Sequence, residues 1–440
     1  MRMPAAMGQH GFGGAFFLDR GHRGANLDHR RLFVESRARR MVAPASAGSI
    51  HLARGLDRKV KLPFHGLSDL GCGLSWPGLY LGHRRSIDDQ SRQQGQETKG
   101  FPMKKIIATV ALGVTMGLTA QAALGATLED VKAKGYIQCG VTSGTVGFSA
   151  PDANNNWTGL EVDFCRAMSA AIFNDPEAVR YTPLTSQERF TALSAGEIDV
   201  LSRTTTWTMS RDTQLGIKFI GTMFYDGQGF MVREDLGVTS ALELSGAAIC
   251  IESGTTTELN AADYFAANGM DFNTVVFIDQ DEVIKAYEDG RCDVYTTDSS
   301  ALASERSKLT EPAAHIILPE IISKEPLGPV VRQGDDTWFN IARWTYFALL
   351  EAEELGITQA NVDDMLASEN PAIRRLLGVE GDFGTPLGLT KDWAYQIIKH
   401  IGNYAESYER HVGPNTPIGL ARGLNALWRD GGIQYSPPIR

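Results

Sequence analysis

Arg211 presents a planar guanidinium fork that can grip a carboxylate through paired, charge-assisted hydrogen bonds, a geometry no lysine reproduces. Thr204 and Thr206 stand two apart after Asp199-Val200-Leu201, so in an extended chain their hydroxyls and the intervening amides face one side in alternation. The segment Ser253-Gly254-Thr255-Thr256-Thr257-Glu258 precedes a helical pattern over 259–267, which puts Thr255 and Thr256 where free amides and the positive end of a helix dipole attract anions. Asp298 closes the run 292–297 and can accept from a cation. Each has a plainer reading: Arg211 as a partner of Asp212 or a helix-start arginine, the threonines as strand formers, 255–258 as a capping box, Asp298 as the N-cap of a helix from Ser299. Phe148 and Trp157, in loops after the first strand pattern, suit either a pocket wall or the core.

The elements that must position these residues alternate strand and helix, the signature of an α/β fold with largely parallel sheets. A strand is expected over 136–142 and a helix over 159–173, where Leu160, Phe164, Ala167, Met168 and Ala171 approach a 3.6-residue spacing. A helix ending at Gly196 feeds a strand at 198–201, and 282–290 followed by Cys292-Asp293-Val294-Tyr295 repeats that step. The repetition suggests two similarly built lobes. The segments 222–230 and 324–330 are candidates for the strands that cross between them, with glycines to let them flex. Helical patterns at 339–355, with Trp338 and Trp344 nearby, and at 393–404 are expected to complete the first lobe.

Several chemistries find no motif. There is no Gly-x-Ser-x-Gly elbow, phosphate loop or dinucleotide fingerprint, and His315, His400 and His411 lack zinc-type spacing, so neither a cofactor nor a metal is expected.

Charge divides the chain. Residues 1–102 hold 16 Lys+Arg against 8 Asp+Glu, leaving 26 against 44 in the remainder, whose acidity argues against nucleic acid and anionic membrane as partners. Met103-Lys104-Lys105, the apolar run 106–120 and the small residues up to Ala126 read as a secretory signal, too short to span a bilayer. Cleavage is expected near Ala122 or Ala126, and 1–102 reads as a disordered extension from a start codon placed too far upstream. Export into an oxidising compartment permits two disulfides among Cys139, Cys165, Cys250 and Cys292. Cys250 and Cys292 sit at similar depth on neighbouring strand patterns, and Cys139 with Cys165 would tie the first strand to the first helix; buried free thiols are the alternative.

Gly196-Glu197-Ile198-Asp199, Thr204-Thr205-Thr206 through Arg211, Ser253 to Glu258, and Gly290-Arg291-Cys292-Asp293 through Asp298 together resemble the periplasmic polar amino-acid-binding proteins, solute-binding components of ABC transporters. The resemblance spans about residues 128–377, and the tail to Arg440 resembles the general L-amino-acid-binding subgroup. It implies a two-lobed type II periplasmic-binding fold, each lobe a mainly parallel sheet flanked by helices, joined by two crossing hinge strands. Lobe 1 would comprise 127–224 and 329–440, and lobe 2 would comprise 225–328. It implies a monomer in the periplasm that closes on an L-amino acid and delivers it to a membrane permease with a cytoplasmic ATPase. Arg211 would then hold the α-carboxylate with Thr256 and Thr255, Thr204 and Thr206 would bracket the head group, and Asp298 would accept from the α-ammonium. Arg203 departs from the small residue often found there and can reach an acidic ligand or be paired within its lobe. The same fold also hosts periplasmic cyclohexadienyl dehydratases, which keeps an enzyme open as the alternative.

Overall fold

Two five-stranded sheets of the same design carry the structure. The computed structural model describes residues 127–440; the expected extension over 1–102 and signal over 103–126 lie outside the described residues. The strands run β1 (Ile137–Val141), β2 (Ala150–Pro151), β3 (Trp157–Thr158), β4 (Val179–Pro183), β5 (Val200–Leu201), β6 (Ile217–Phe219), β7 (Phe224–Asp226) and β8 (Gln228–Arg233). They continue with β9 (Ala248–Glu252), β10 (Asn273–Phe277), β11 (Val294–Asp298), β12 (His315–Ile317), β13 (Glu325–Leu327) and β14 (Val330–Arg332).

The first sheet has the order β4-β1-β5-β14-β6 and the second β10-β9-β11-β8-β12. In each, three neighbouring strands are parallel and the fourth is antiparallel to both of its neighbours, so four strands point one way and one is reversed. β1 is buried along almost its whole length, as a central parallel strand covered on both faces must be. The helix Leu160–Phe173 lies over it, burying Phe164 and Met168, each contributing about 1.5–3 kcal/mol. That helix stops at Asn174, which takes the left-handed conformation at φ 54°.

Cys139 on β1 and Cys165 on this helix are disulfide-bonded with Cα atoms 6.4 Å apart, and Cys250 on β9 is bonded to Cys292, just before β11, at 5.6 Å.

The chain passes between the sheets on β7 and returns on β13, which pair antiparallel. Their glycines serve close approach more than flexing: a Cβ on Gly328 would lie 1.9 Å from the Gly221 carbonyl oxygen, and one on Gly227 would lie 2.2 Å from Ile321. The C-terminal region packs beneath this crossing. The helices Asp336–Glu354, Trp393–Ile401 and Tyr404–His411 share one core with β1 and the helix Leu160–Phe173. Tyr346 and Tyr404 donate their hydroxyls to the carbonyls of Thr222 and Met223, both at 2.7 Å. The Asn425 side chain both accepts from the Tyr225 amide (2.7 Å) and donates to its carbonyl (3.1 Å). Among the described residues no helix is long and apolar enough to cross a membrane.

Candidate functional site

A polar cleft of about 420 Å³, part of it open to solvent, lies between the sheets. Every residue lining it follows the carboxyl end of one of the three adjacent parallel strands of its sheet, where the strand-to-helix turns leave backbone groups and side chains unpaired by the ladder. From the first sheet come Thr145 after β1, Ser186 and Arg189 after β4, and Arg203, Thr204 and Thr206 after β5. From the second come Glu252 and Thr255–Thr257 at the end of β9, Gln280 after β10, and Thr297, Asp298 and Ala301 at the end of β11. The walls are in contact: Gln187 donates to the Ser253 hydroxyl (2.7 Å), Thr145 to Gln280 (3.2 Å), and the Thr206 and Thr256 hydroxyls meet at 3.3 Å.

Thr204 is not extended. Its φ is 26°, a sparsely populated conformation for a β-branched residue that costs about 1–3 kcal/mol, and its amide donates to Glu161 Oε1 beneath it. The alternation survives without an extended backbone: Thr204 and Thr206 both reach the cleft, while the Thr205 hydroxyl turns inward and donates to the Arg203 carbonyl at 2.5 Å. Burial lifts the Glu161 carboxyl to about 7 against its hydrogen bond from Thr204 and the nearby Arg203 charge.

Arg211 sits in the first turn of the helix Met209–Gln214, which Thr208 caps by accepting from the Arg211 amide. Its guanidinium is buried, donates from Nη1 to the Thr206 carbonyl at 3.0 Å, and lies 5.3 Å from the Phe190 ring centre. It stands just behind the lining, without an ion pair to Asp212 among the described residues. Burial pulls its pKa down, opposed by Glu325 and Asp298.

Thr255 occupies the N-cap position of the helix Thr256–Ala267 but does not cap it. Its hydroxyl donates instead to the Glu252 carbonyl at 2.7 Å, and no box with Glu258 forms, so the first-turn amides keep no side-chain cap. Thr256 donates to Glu325 Oε2 at 2.9 Å, and Glu325 also accepts from Asn260 (2.7 Å) and Ser323 (2.6 Å). Asp298 is the N-cap residue of the helix Ser299–Lys308, again without a capping bond, and no hydrogen bond from the described residues ends on its carboxylate. Burial, with Asp226 and Glu325 close by, raises its pKa well above the usual carboxylate range.

Arg203 is engaged rather than free: its Nε donates to the Leu184 carbonyl at 2.9 Å and its Nη2 meets Glu252 Oε1 at 3.5 Å across the cleft. Phe148 and Trp157 correct the expected pocket wall. Phe148 is folded into the core by the turn at Thr145 and meets Phe224 edge-on at 5.1 Å; Trp157 packs on Tyr181 at 5.7 Å on the outer β2–β3 hairpin. Neither ring lines the cleft, because apolar burial against the sheet outweighs exposure on a polar wall. Residues that the sequence did not single out are Arg189, Ser186, Glu252, Gln280 and the hinge pair Asp226 and Glu325. The one local sign was a charged residue opening the apolar helix Arg189–Ala195. Among the described residues no His, Cys, Asp and Glu cluster could hold a metal.

Paired sheets with one reversed strand each, two crossing connections and a cleft carrying cationic and anionic side chains define a solute-binding protein of the type II periplasmic fold. The chain belongs to the bacterial extracellular solute-binding proteins, family 3, whose pattern matches residues 137–355. It is 61% identical over 341 residues to the general L-amino acid-binding periplasmic protein AapJ of Rhizobium johnstonii, a match covering 77% of this chain and 100% of that protein. It is 53% identical to the glutamate/glutamine/aspartate/asparagine-binding protein BztA of Rhodobacter capsulatus, with the same coverage. Among solved structures, an ABC transporter/periplasmic binding protein from Brucella ovis with glutathione bound matches with TM-score 0.70 and 58% identity, over 71% of this chain and 99% of that one.

Proposed function

We propose that the cleft closes on an L-amino acid and presents it, in the periplasm, to the permease of an ABC importer. The observation that carries this reading is the gathering of both kinds of group at one cleft: the Asp298 carboxyl, with no donor among the described residues, the uncapped start of the helix Thr256–Ala267, and the Arg211 guanidinium just behind the lining. A zwitterionic head group taken out of water needs both signs satisfied at once. In this reading Arg211 and the amides at Thr256 hold the α-carboxylate, Asp298 accepts from the α-ammonium, and the Thr204 and Thr206 hydroxyls complete the grip. The relatives named for amino acids support it, and they are binding proteins, which gives the dehydratase alternative no comparable support.

Lobe 1 is taken as 127–224 with 329–440 and lobe 2 as 225–328, hinged on β7 and β13 and acting as a monomer, with the exported chain starting after Ala122 or Ala126. A γ-glutamyl peptide offers the same head group, and the glutathione in the Brucella ovis relative favours testing it alongside. Calorimetric titration of the purified protein, stripped of carried ligand by unfolding and refolding, with the twenty L-amino acids, glutathione and prephenate tests this. Tight binding of L-amino acids is the expected result; turnover of prephenate without such binding would overturn it.

A further inference from the structure

Glu305 lies fully buried, at 0% exposure, in the helix Ser299–Lys308, behind the cleft and not among its lining residues. A carboxylate so placed is costly unless donors converge on it. Among the described residues two do. Gln280, at the start of the helix Gln280–Glu288, donates from Nε2 to Glu305 Oε1 at 2.8 Å, and Lys308, one turn further on, brings its Nζ within 2.7 Å of Oε2. Burial lifts the Glu305 carboxyl to about 7; Lys308 draws it down, while Asp281 and Glu252 push it up.

Both donors also reach the opposite wall. Gln280 Oε1 accepts from the Thr145 hydroxyl at 3.2 Å, and Lys308 Nζ donates to the Gly144 carbonyl at 3.3 Å. Gly144 and Thr145 are neighbours in the loop after β1 of the first sheet, whereas Gln280, Glu305 and Lys308 stand on helices of the second. That loop is itself fixed. The Thr145 amide donates to the Thr142 hydroxyl at 3.1 Å, and its carbonyl accepts from the amides of Phe148 (3.1 Å) and Ser149 (2.9 Å). The other contacts between the walls, Gln187 to Ser253 and Arg189 to the Gly254 carbonyl, share no such acid. A glutamine and a lysine left to rotate would lose rotamer entropy each time the walls met; held by one buried carboxylate, they are presented already ordered.

We propose that Glu305 is a positioning residue for ligand capture: it holds Gln280 and Lys308 in the posture that fastens the second wall to the loop at 144–145, and so sets how long a bound ligand stays. This rests on the amino-acid reading above and goes beyond it, because Glu305 acts on closure through two other side chains and touches no ligand.

Stopped-flow fluorescence with L-glutamate and L-glutamine as probes reads association and release separately. Glu305→Gln keeps an acceptor for Gln280 and removes the charge that holds Lys308. It should speed the release of both probes by about fivefold or more, the scale of one net hydrogen bond, and leave association within about twofold. Lys308→Met, which alters a surface side chain, should do the same and decides alone if Glu305→Gln does not fold. The double variant should release no faster than the faster single one, since both changes act through one contact. Unchanged release in the single variants, or accelerations that multiply in the double variant, would overturn the proposal. So would a lower urea midpoint of ligand-free Glu305→Gln with release unchanged, which would assign Glu305 to helix packing alone. Binding of neither probe by the unaltered protein would remove the amino-acid reading itself, and this proposal with it.

Discussion

Asp226 and Glu325 are register partners across β7 and β13, so the two strands that connect the sheets carry a carboxylate pair. Asp226 also accepts from the amides of Gly227 (2.8 Å) and Ser300 (3.2 Å), which ties the crossing to the start of the helix that Asp298 precedes. The hinge and the proposed ammonium acceptor are thus one electrostatic unit.

Burial lifts Asp226 from 3.8 to about 6, so the folded protein holds this proton more tightly than the unfolded chain. Its stabilising contribution is full below about pH 4 and is lost as pH rises to about 6, by up to about 3 kcal/mol. Glu161, lifted to about 7, extends the decline toward neutrality. Urea midpoints of the ligand-free protein should fall between pH 4 and 6.5, and Asp226→Asn should flatten that slope; an unchanged slope would assign it to other groups.

If an ammonium reaches Asp298, its raised pKa must drop on binding and protons must leave. Titrations in buffers of different ionisation enthalpy should show net proton release, with affinity rising as pH increases. Asp298→Asn should abolish the release and weaken amino acids by about 30-fold or more. Undiminished affinity would take Asp298 out of the site.

The Cys250–Cys292 bond closes a loop of 42 residues within the second sheet, for which chain-entropy arguments give about 4 kcal/mol. The paired Ser variant should lower the urea midpoint accordingly while keeping a folded spectrum. A change below about 1 kcal/mol would mean that the reduced chain is already restricted there.

Asn425 straps the C-terminal region to β7 through both groups of the Tyr225 backbone. Asn425→Ala should cost about 1–3 kcal/mol by leaving a part-buried donor and acceptor unmet. It should also alter the rate of ligand release, read by stopped-flow fluorescence, because the strap bears on a crossing strand. Unchanged stability and release would confine Asn425 to a passive surface contact.

Much of the architecture was legible because its causes are local. The helix Leu160–Phe173 follows from apolar spacing, and the helix-to-strand steps at 198–201 and 292–295 follow from Gly196, Gly290 and short β-branched runs. That periodicity also placed Arg203, Thr204, Thr206, Thr255, Thr256 and Asp298 at strand ends, where the structure has them on the cleft. It could not say that Phe148 turns into the core, that Thr204 adopts φ 26° over Glu161, or that Arg203 is matched by Glu252 while Arg189 is not. Those outcomes depend on groups 43 to 76 positions apart in sequence meeting in a low-dielectric cleft, where a few ångströms separate a paired charge from an orphaned one. Sequence alone determined which segments would be strands and helices and which turns would bear polar groups; tertiary packing decided which charges are already satisfied, because buried charges interact through space and not along the chain.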